Sequence, residues 1–160
     1  MAKDKKMVYI TSSTKSKTFN SKPVKLKKLI NEALHIIETL GVPLNDKTPR
    51  SLERMAMAFL AVLDVKSTSD WKNAKDLHDN YSITSREIII YWNSFFNENV
   101  LSGSYDDIRR KNLDLIVLAN IITRTKPDSA RNDPSRGYAL NSEFIGQTFP
   151  HPNFILMFFT

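Results

Sequence analysis

The sequence predicts a mainly α-helical fold, a helical bundle followed by two short strands near the C-terminus. Apolar residues recur every three or four positions through several long stretches, which is the pattern of helices that bury one face. Two later segments rich in β-branched or aromatic residues flank a loop of Pro, Asp, Asn, Ser and Gly. A length of 160 residues suits one domain with a core of its own.

Composition and charge favour a soluble protein with an anionic partner. No apolar run approaches the roughly 20 residues that span a bilayer. Residues 1–28 hold nine lysines and one Asp, a net charge of +8 against +6 for the whole chain, so the remainder carries −2. We expect residues 1–24 to be a flexible basic tail, either solubilising or attracted to phosphates. The absence of cysteine excludes disulfides and fits a reducing cytoplasm.

Two helices open the folded domain, which we place at residues 25–149. The first carries an apolar stripe through VKLKKLINEALHIIETL and ends at Gly41. The second has Thr48 as a candidate N-cap and Pro49 at its first helical position, and its apolar face predicts the central core helix. The polar stretch STSDWKNAKDLHDNYS that follows is expected to form a short helix or an ordered loop anchored by Trp71 and Leu77.

The second half of the domain begins with a capped helix. Thr84 is of a residue type favoured at the N-cap, and Glu87 three residues later completes a capping box, so we expect a helix over about residues 85–98. The turn ENVLSGS follows. One continuous helix then starts near the pair Ser104 and Asp107, which again have capping-box spacing.

The order of these elements predicts a winged helix-turn-helix. After the last helix, IITRT and GYAL flank the polar loop and read as a two-stranded hairpin, the wing. In this architecture the second helix of the pair enters the DNA major groove, and the hairpin lies along the backbone. We therefore expect the partner to be double-stranded DNA.

Candidate base contacts lie in the first turns of the second helix. Arg109, Arg110 and Asn112 fall away from its apolar positions and are expected to project outward, with Tyr105 as a helper. Arginine can make two hydrogen bonds to one guanine, and the start of a recognition helix is the part that reaches base edges. Other residues are candidates for phosphate or wing contacts. These are Ser102, Ser104, Lys111, Arg124, Lys126, Arg131 and Arg136.

A second interpretation of the same arginines stays open. Arg109 and Arg110 follow Asp106 and Asp107 at spacings of three and four, so they could form ion pairs on the helix surface. In that case the chain would be a helical protein-interaction domain. A standalone winged-helix transcriptional regulator would show the same pattern of helices as a DNA-recognition domain of an enzyme.

The chain resembles the N-terminal helix-turn-helix (winged-helix) domain of the BsuBI/PstI family of type II restriction endonucleases. The similarity runs from ALHIIETLGVP to ARNDPSRGYALNSEFIGQ, and is most specific at Ile108 to Lys111 and at Asn132 to Asn141. Such a resemblance implies a parent enzyme that recognises a short palindromic duplex as a homodimer and cleaves it with Mg²⁺. It also implies that the catalytic domain is not in this chain.

Nothing in the residues themselves predicts catalysis or a cofactor in this chain. Asp64 and Lys66 form an acidic-x-Lys triplet, but they end a core helix, where a lysine suits the helix dipole. His35, His78 and His151 lack metal-ligand spacing. The apolar tail, residues 150–160, must bury itself, and we expect it to be the first strand of a catalytic domain rather than a strand of this domain or an oligomer contact.

Overall fold

Helices make up most of the computed structural model, which describes residues 8–11, 16–125, 137–141 and 143. The α-helices are α1 (Lys17–Asn20), α2 (Val24–Thr39), α3 (Pro49–Leu63), α4 (Ser85–Phe95), α5 (Tyr105–Asp107) and α6 (Asp114–Leu118). The strands are β1 (Ile83–Thr84), β2 (Ile122–Arg124) and β3 (Gly137–Leu140). None of the helices in this part of the chain combines the length and apolar character of a membrane span.

Helix α3 lies at the centre of the core, as the sequence predicts. Every residue from Met55 to Leu63 is fully buried, so this helix is surrounded on all sides. Its start has both predicted features, because Thr48 Oγ1 accepts a hydrogen bond from the Ser51 N–H at 3.1 Å and Pro49 takes the first helical position. Helix α2 packs along α3.

The polar stretch after α3 forms two short 3-10 helices, Thr68–Asn73 and Leu77–Asp79. Of the two predicted anchors, Trp71 is 1% exposed, whereas Leu77 is 39% exposed, so the prediction that Leu77 anchors the stretch is wrong. The indole Nε1 of Trp71 donates a hydrogen bond to Glu32 of α2 at 3.1 Å, so the stretch is fixed to the first core helix. The prediction of a short helix or an ordered loop is confirmed.

The capping box at the start of α4 is confirmed in both directions. The Thr84 N–H donates to the Glu87 carboxylate at 2.9 Å, and the Glu87 N–H donates to Thr84 Oγ1 at 3.2 Å. The helix ends at Phe95 rather than near Glu98. Asn97 adopts a left-handed backbone with φ of 56°, which stops the helix before the predicted end.

A three-stranded antiparallel sheet closes the described fold, in the order β1-β3-β2. The predicted pairing of β2 with β3 is confirmed, and β1 is an additional strand that the sequence analysis did not predict. Gly137 in the central strand sits where a Cβ atom would lie 2.9 Å from Thr125 Oγ1 and 3.0 Å from Ser82 Oγ. Only glycine therefore fits there without displacing those side chains. The loop between β2 and β3 lies outside the described residues, as does the apolar tail at 150–160.

The N-terminal segment differs from the predicted tail. Residues 16–24 are not a flexible extension, because Phe19 of α1 is 1% exposed and Lys22 is 3% exposed. Ile10 is also buried. Lys22 is held inside by two carboxylates that come from distant parts of the chain, and this pairing is not visible in local sequence.

The predicted second helix of the helix-turn-helix is not one regular helix. After α5 the backbone forms a π turn over Ile108–Asn112, in which the Leu113 N–H donates to the Ile108 carbonyl at 3.0 Å. Helix α6 then begins at Asp114. Ser104 precedes α5 but makes no side-chain capping bond, so the capping box predicted with Asp107 is wrong.

Candidate nucleic-acid interface

The π turn presents the three consecutive cations on which the predicted DNA contact rests. The side chains are 24% exposed for Arg109, 52% for Arg110 and 65% for Lys111, so exposure rises along the turn. A π turn contains one residue more than an α-helical turn, which rotates the following residues by roughly 100° relative to a regular helix. The turn thereby sets the direction in which these side chains leave the helix.

The extra residue also moves Asn112, which was expected to face outward. Asn112 is 4% exposed, and the next residue, Leu113, is fully buried. The Oδ1 atom of Asn112 is buried and has no hydrogen-bond partner among the described residues. The prediction that Asn112 projects from the surface is therefore wrong, because the π turn directs it into the helix packing.

Each cation of the π turn is paired with an aspartate of α5. Arg109 donates to Asp106 Oδ1 from Nη2 at 2.6 Å and from Nε at 3.1 Å. Arg110 donates to Asp106 Oδ2 at 2.8 Å and to Asp107 Oδ1 at 3.2 Å. Lys111 Nζ lies 3.7 Å from Asp107 Oδ1. The ion pairs foreseen in the second interpretation are present in this structure.

These pairs affect the protonation of the aspartates. Hydrogen bonds from Arg109 and Arg110 lower the pKa of Asp106 below its ordinary value. The carboxylate therefore stays ionised at neutral pH and compensates one of the two guanidinium charges that it contacts. Any anionic ligand has to compete with it for the two guanidinium groups.

The two arginines share a groove with the sheet. A cavity of about 340 Å³ lies between the helical turn and the strands. We call it the basic groove, and its lining consists of Arg109, Arg110, Asp114, Val117, Arg124 and Tyr138. Arg124 ends β2 and pairs with Tyr138 of β3 in the sheet register. The structure thus brings Arg109, Arg110 and Arg124 together in a groove that contains three guanidinium groups and one carboxylate.

Tyr105 is the first residue of α5 and is not among the residues that line the basic groove. The guanidinium carbon of Arg86, from the first turn of α4, lies 4.2 Å from the centroid of the Tyr105 ring. Arg86 was not among the predicted contacts, because an isolated exposed arginine in a capped helix has no distinguishing sequence signal. Ser102 and Ser104 form the short 3-10 turn that leads into α5.

Three further candidates, Lys126, Arg131 and Arg136, lie outside the described residues. Their predicted contacts with phosphates or the wing stay predictions. Of the candidates in the hairpin, only Arg124 falls in the part of the chain that the structure describes, and its side chain lies at the basic groove.

A cluster of charged side chains, which we call the buried ion cluster, connects the turn between α4 and α5 to α3. It consists of Lys22, Arg50, Glu53 and Glu98. Lys22 Nζ lies 2.7 Å from Glu53 and 2.6 Å from Glu98, which is in the turn between α4 and α5. Arg50 adds bonds of 2.8 and 2.9 Å to Glu98. The turn is therefore tied both to α3 and to the segment that follows α1.

The charges of this cluster stabilise one another. Burial favours the neutral form of Glu98, but hydrogen bonds from Arg50 and Lys22 outweigh it and lower the pKa of Glu98 below its ordinary value. Burial likewise opposes the charge of Arg50, but its hydrogen bonds to Glu98 and Glu53 raise the pKa of Arg50. Glu98 and Arg50 are thus both charged at neutral pH, and their pairing compensates their removal from water.

The residues do not supply a metal site in the described part of the chain. Asp64, from the acidic-x-Lys triplet, accepts bonds from Lys75 at 2.7 Å and Tyr91 at 2.8 Å, and Lys66 lies 3.4 Å away. Burial would raise the pKa of Asp64, but the bonds from Lys75 and Tyr91 lower it. No group of three His, Asp or Glu side chains that could hold a metal lies within the described ranges. The described residues thus offer no set of donors that fits the Mg²⁺ implied for a parent enzyme.

Comparisons with known proteins agree with this architecture. The family model of the BsuBI/PstI restriction endonuclease HTH domain matches residues 27–151. Among solved structures, the SdaI restriction endonuclease is similar with a TM-score of 0.60 and 18% identity, over 81% of this chain and 40% of that one. This likeness concerns the fold, and the chain spans less than half of the SdaI chain. A search of curated proteins found no match. By its family match, the chain belongs to the BsuBI/PstI restriction endonuclease HTH domain family.

Proposed function

We propose that this chain binds double-stranded DNA sequence-specifically, as the recognition part of a type II restriction endonuclease. The observation that carries the proposal is the basic groove, in which Arg109 and Arg110 of the π turn meet Arg124 of the sheet. Membership of a restriction-endonuclease HTH family supports the same function. A π turn that displaces a regular helix is also frequent at functional sites.

The residues divide into two kinds of contact under this proposal. Arg109 and Arg110 read base edges in the major groove, and Tyr105 beside Arg86 supports them. Asn112 is left out of this set because its side chain is buried. The remaining candidates contact phosphates or form the wing, and they fix the register of the helix on the duplex. They are Ser102, Ser104, Lys111, Arg124, Lys126, Arg131 and Arg136.

Binding requires the ion pairs of the π turn to open or to widen. Exposed pairs on a helix surface contribute little, because water hydrates both partners almost as well. A bidentate arginine contact with guanine discriminates against the wrong base by about 1–3 kcal/mol. The exchange of aspartate for DNA therefore favours the complex on the preferred sequence. On other sequences the arginines lack the guanine contact and can return to Asp106 and Asp107, which supports selectivity.

The proposal includes a homodimer as the form in which the whole enzyme binds its target. A palindromic target is read by a homodimer, because a two-fold symmetric site matches two identical copies of the groove. Cleavage with Mg²⁺ belongs to the catalytic part of such an enzyme, and the present chain supplies recognition. A cytoplasmic site of action accords with the cysteine-free composition.

One observation favours a second candidate function. The ion pairs with Asp106 and Asp107 compensate two of the three positive charges of the π turn, as expected of a helical protein-interaction domain. Such a domain would bind no duplex even at low salt. A standalone transcriptional regulator, by contrast, would bind DNA through the same groove, with an operator as its target.

Selection from a randomised duplex pool, followed by sequencing of the bound fraction, tests the proposal. We expect the chain to enrich a short palindrome at moderate salt, and to do so equally well after deletion of residues 1–7. Arg110→Ala should abolish the enrichment, whereas Lys72→Ala, which removes an exposed cation of the first 3-10 helix, should leave it intact. Unselective binding by all these proteins, or binding that vanishes with residues 1–7, would reject the assignment.

A further inference from the structure

Arg54 of α3 carries hydrogen-bond donors that have no acceptor among the described residues. Its Nε and Nη2 are buried and unpartnered. The guanidinium carbon lies 5.2 Å from the centroid of the Trp92 ring, so the group rests on an aromatic face. A ring face attracts a cation, but it does not replace hydrogen-bond acceptors for the N–H groups. A buried, unpaired donor on a charged group is costly, and such a group calls for an explanation.

The position of Arg54 links it to the candidate DNA surface. Helix α3 packs against the π turn, and Asn112 in that turn likewise has a buried oxygen without a partner in the described part of the chain. Burial and the neighbouring charge of Arg50 lower the pKa of Arg54. Asp107 immediately precedes the π turn, and both α3, which carries Arg54, and α5, which carries Asp107, pack against that turn. The carboxylates of Asp107, Glu98 and Glu53 partly oppose the lowering of the Arg54 pKa.

Asp107 is paired with Arg110 and Lys111, which contact DNA under the proposed function. Arg110 Nη2 lies 3.2 Å and Lys111 Nζ 3.7 Å from its Oδ1, and both distances are longer than the 2.6 Å bond between Arg109 and Asp106. If Arg110 and Lys111 turn toward DNA, Asp107 loses both counterions. It would then stand uncompensated beside the phosphates, where like charges repel.

We propose that Arg54 is an alternative partner of Asp107. It pairs with the Asp107 carboxylate when Arg110 and Lys111 engage DNA. The inference rests on the proposed DNA-binding function. Arg54 is a positioning residue in this scheme, since it touches no base and acts through Asp107. The unpartnered donors of the free protein find their acceptor only in the complex, so an interaction absent from the free state favours binding.

A double-mutant cycle on duplex affinity tests the partner exchange. Arg54→Met removes the charge but keeps a long side chain that packs on Trp92. We expect it to leave the free energy of unfolding unchanged or increased, because it removes a buried cation without partners, and yet to weaken binding of the selected duplex about tenfold. In an Asp107→Asn background the same change should alter affinity by less than about twofold. Arg54→Lys, which keeps the charge, should stay within about threefold of the unmodified chain.

A purely structural role gives the opposite pattern. Arg54→Met would then lower stability and affinity together, and the effect on affinity would persist in the Asp107→Asn background. A second readout is the NMR signal of the Arg54 Nε–H. It should shift and gain protection from hydrogen exchange when the duplex is added to the unmodified chain, but not when it is added to Asp107→Asn.

The outcomes separate the two proposals. If Arg110→Ala weakens binding while Arg54→Met does not, partner exchange is wrong and DNA recognition by the π turn stands. If the unmodified chain binds no duplex at low salt, the DNA-binding function fails and partner exchange fails with it. A shift of the Arg54 signal that is equal in both backgrounds would also overturn the exchange, since Asp107 would then not be the acceptor.

Discussion

At the scale of single residues, Arg110 and Arg124 of the basic groove are expected to contribute differently to recognition. Arg110 is half exposed and reaches outward from the π turn, whereas Arg124 lies at the end of a strand. We predict that Arg110→Ala costs about 1–3 kcal/mol of binding free energy on the preferred duplex and relaxes specificity at one position. Arg124→Ala should weaken all duplexes alike. Titrations with the preferred duplex and with single-mismatch duplexes measure both effects.

The control for this comparison is a cation elsewhere on the surface. Lys72→Ala removes one positive charge far along the chain from the groove and should change affinity only slightly. An equal loss on every duplex for both arginine variants would mean that neither reads bases. The groove would then act only as a phosphate contact.

The local sequence predicted the residues of this site better than their orientation. Arg109 and Arg110 follow two aspartates at helical spacing, so both the ion pairs and the candidate contacts could be recognised before the structure was known. Asn112 was misplaced because the extra residue in the turn rotates its side chain into the helix packing. Arg54 was not recognised, since a buried arginine in an apolar helix carries no local signal of its partner.

At the scale of elements, the π turn sets the orientation of Arg109 and Arg110 relative to the sheet. Deleting Lys111 should restore α-helical hydrogen bonding and rotate the arginines by roughly 100° relative to α6. Lys111→Ala removes the same charge without shortening the turn, and serves as its matched control. We predict that the deletion abolishes selection of a preferred duplex while the helical circular dichroism persists, and that the substitution preserves selection.

Equal selectivity of the deletion and substitution variants would show that orientation within the turn does not matter. Loss of the helical signal in the deletion variant would instead reveal that the turn is needed for folding. The comparison of the two variants therefore separates the effect of charge from the effect of geometry.

Element boundaries could be predicted where one side chain decides them. Thr48, Pro49 and the pair Thr84 and Glu87 act on their own helix starts, and the structure confirms all of them. The strand β1 was missed because two residues that pair with a segment more than 50 positions away leave no periodic pattern. The choice between an α turn and a π turn at Ile108–Asn112 depends on how α3 packs against it, which no local rule contains.

At the scale of the whole molecule, the buried ion cluster makes stability depend on pH. The pKa of Glu98 lies below its ordinary value of 4.5, so its contribution is complete above that value and is lost as the pH falls through the lower folded value. We predict that Glu98→Gln lowers the free energy of unfolding by about 1–3 kcal/mol at pH 7. The difference from the unmodified chain should shrink as the pH falls below 4.5.

Urea unfolding at a series of pH values measures this dependence. Asp46→Asn provides the control, because Asp46 is exposed and lies outside the cluster. A difference between Glu98→Gln and the unmodified chain that is constant from neutral to acid pH would show that the charge of Glu98 does not stabilise the fold. Its role would then be limited to packing and hydrogen bonding.

The ion cluster also determines where this domain can be cut. The family match begins at residue 27, after Lys22, although Lys22 supplies the innermost positive charge to Glu53 and Glu98. A fragment restricted to the matched residues would bury two carboxylates with Arg50 as their remaining cation in the cluster. We therefore expect a stable fragment of this domain to begin at or before Ser16, which caps α1 and contacts Glu53. The charge compensation of the ion cluster thus extends further toward the N-terminus than the family match.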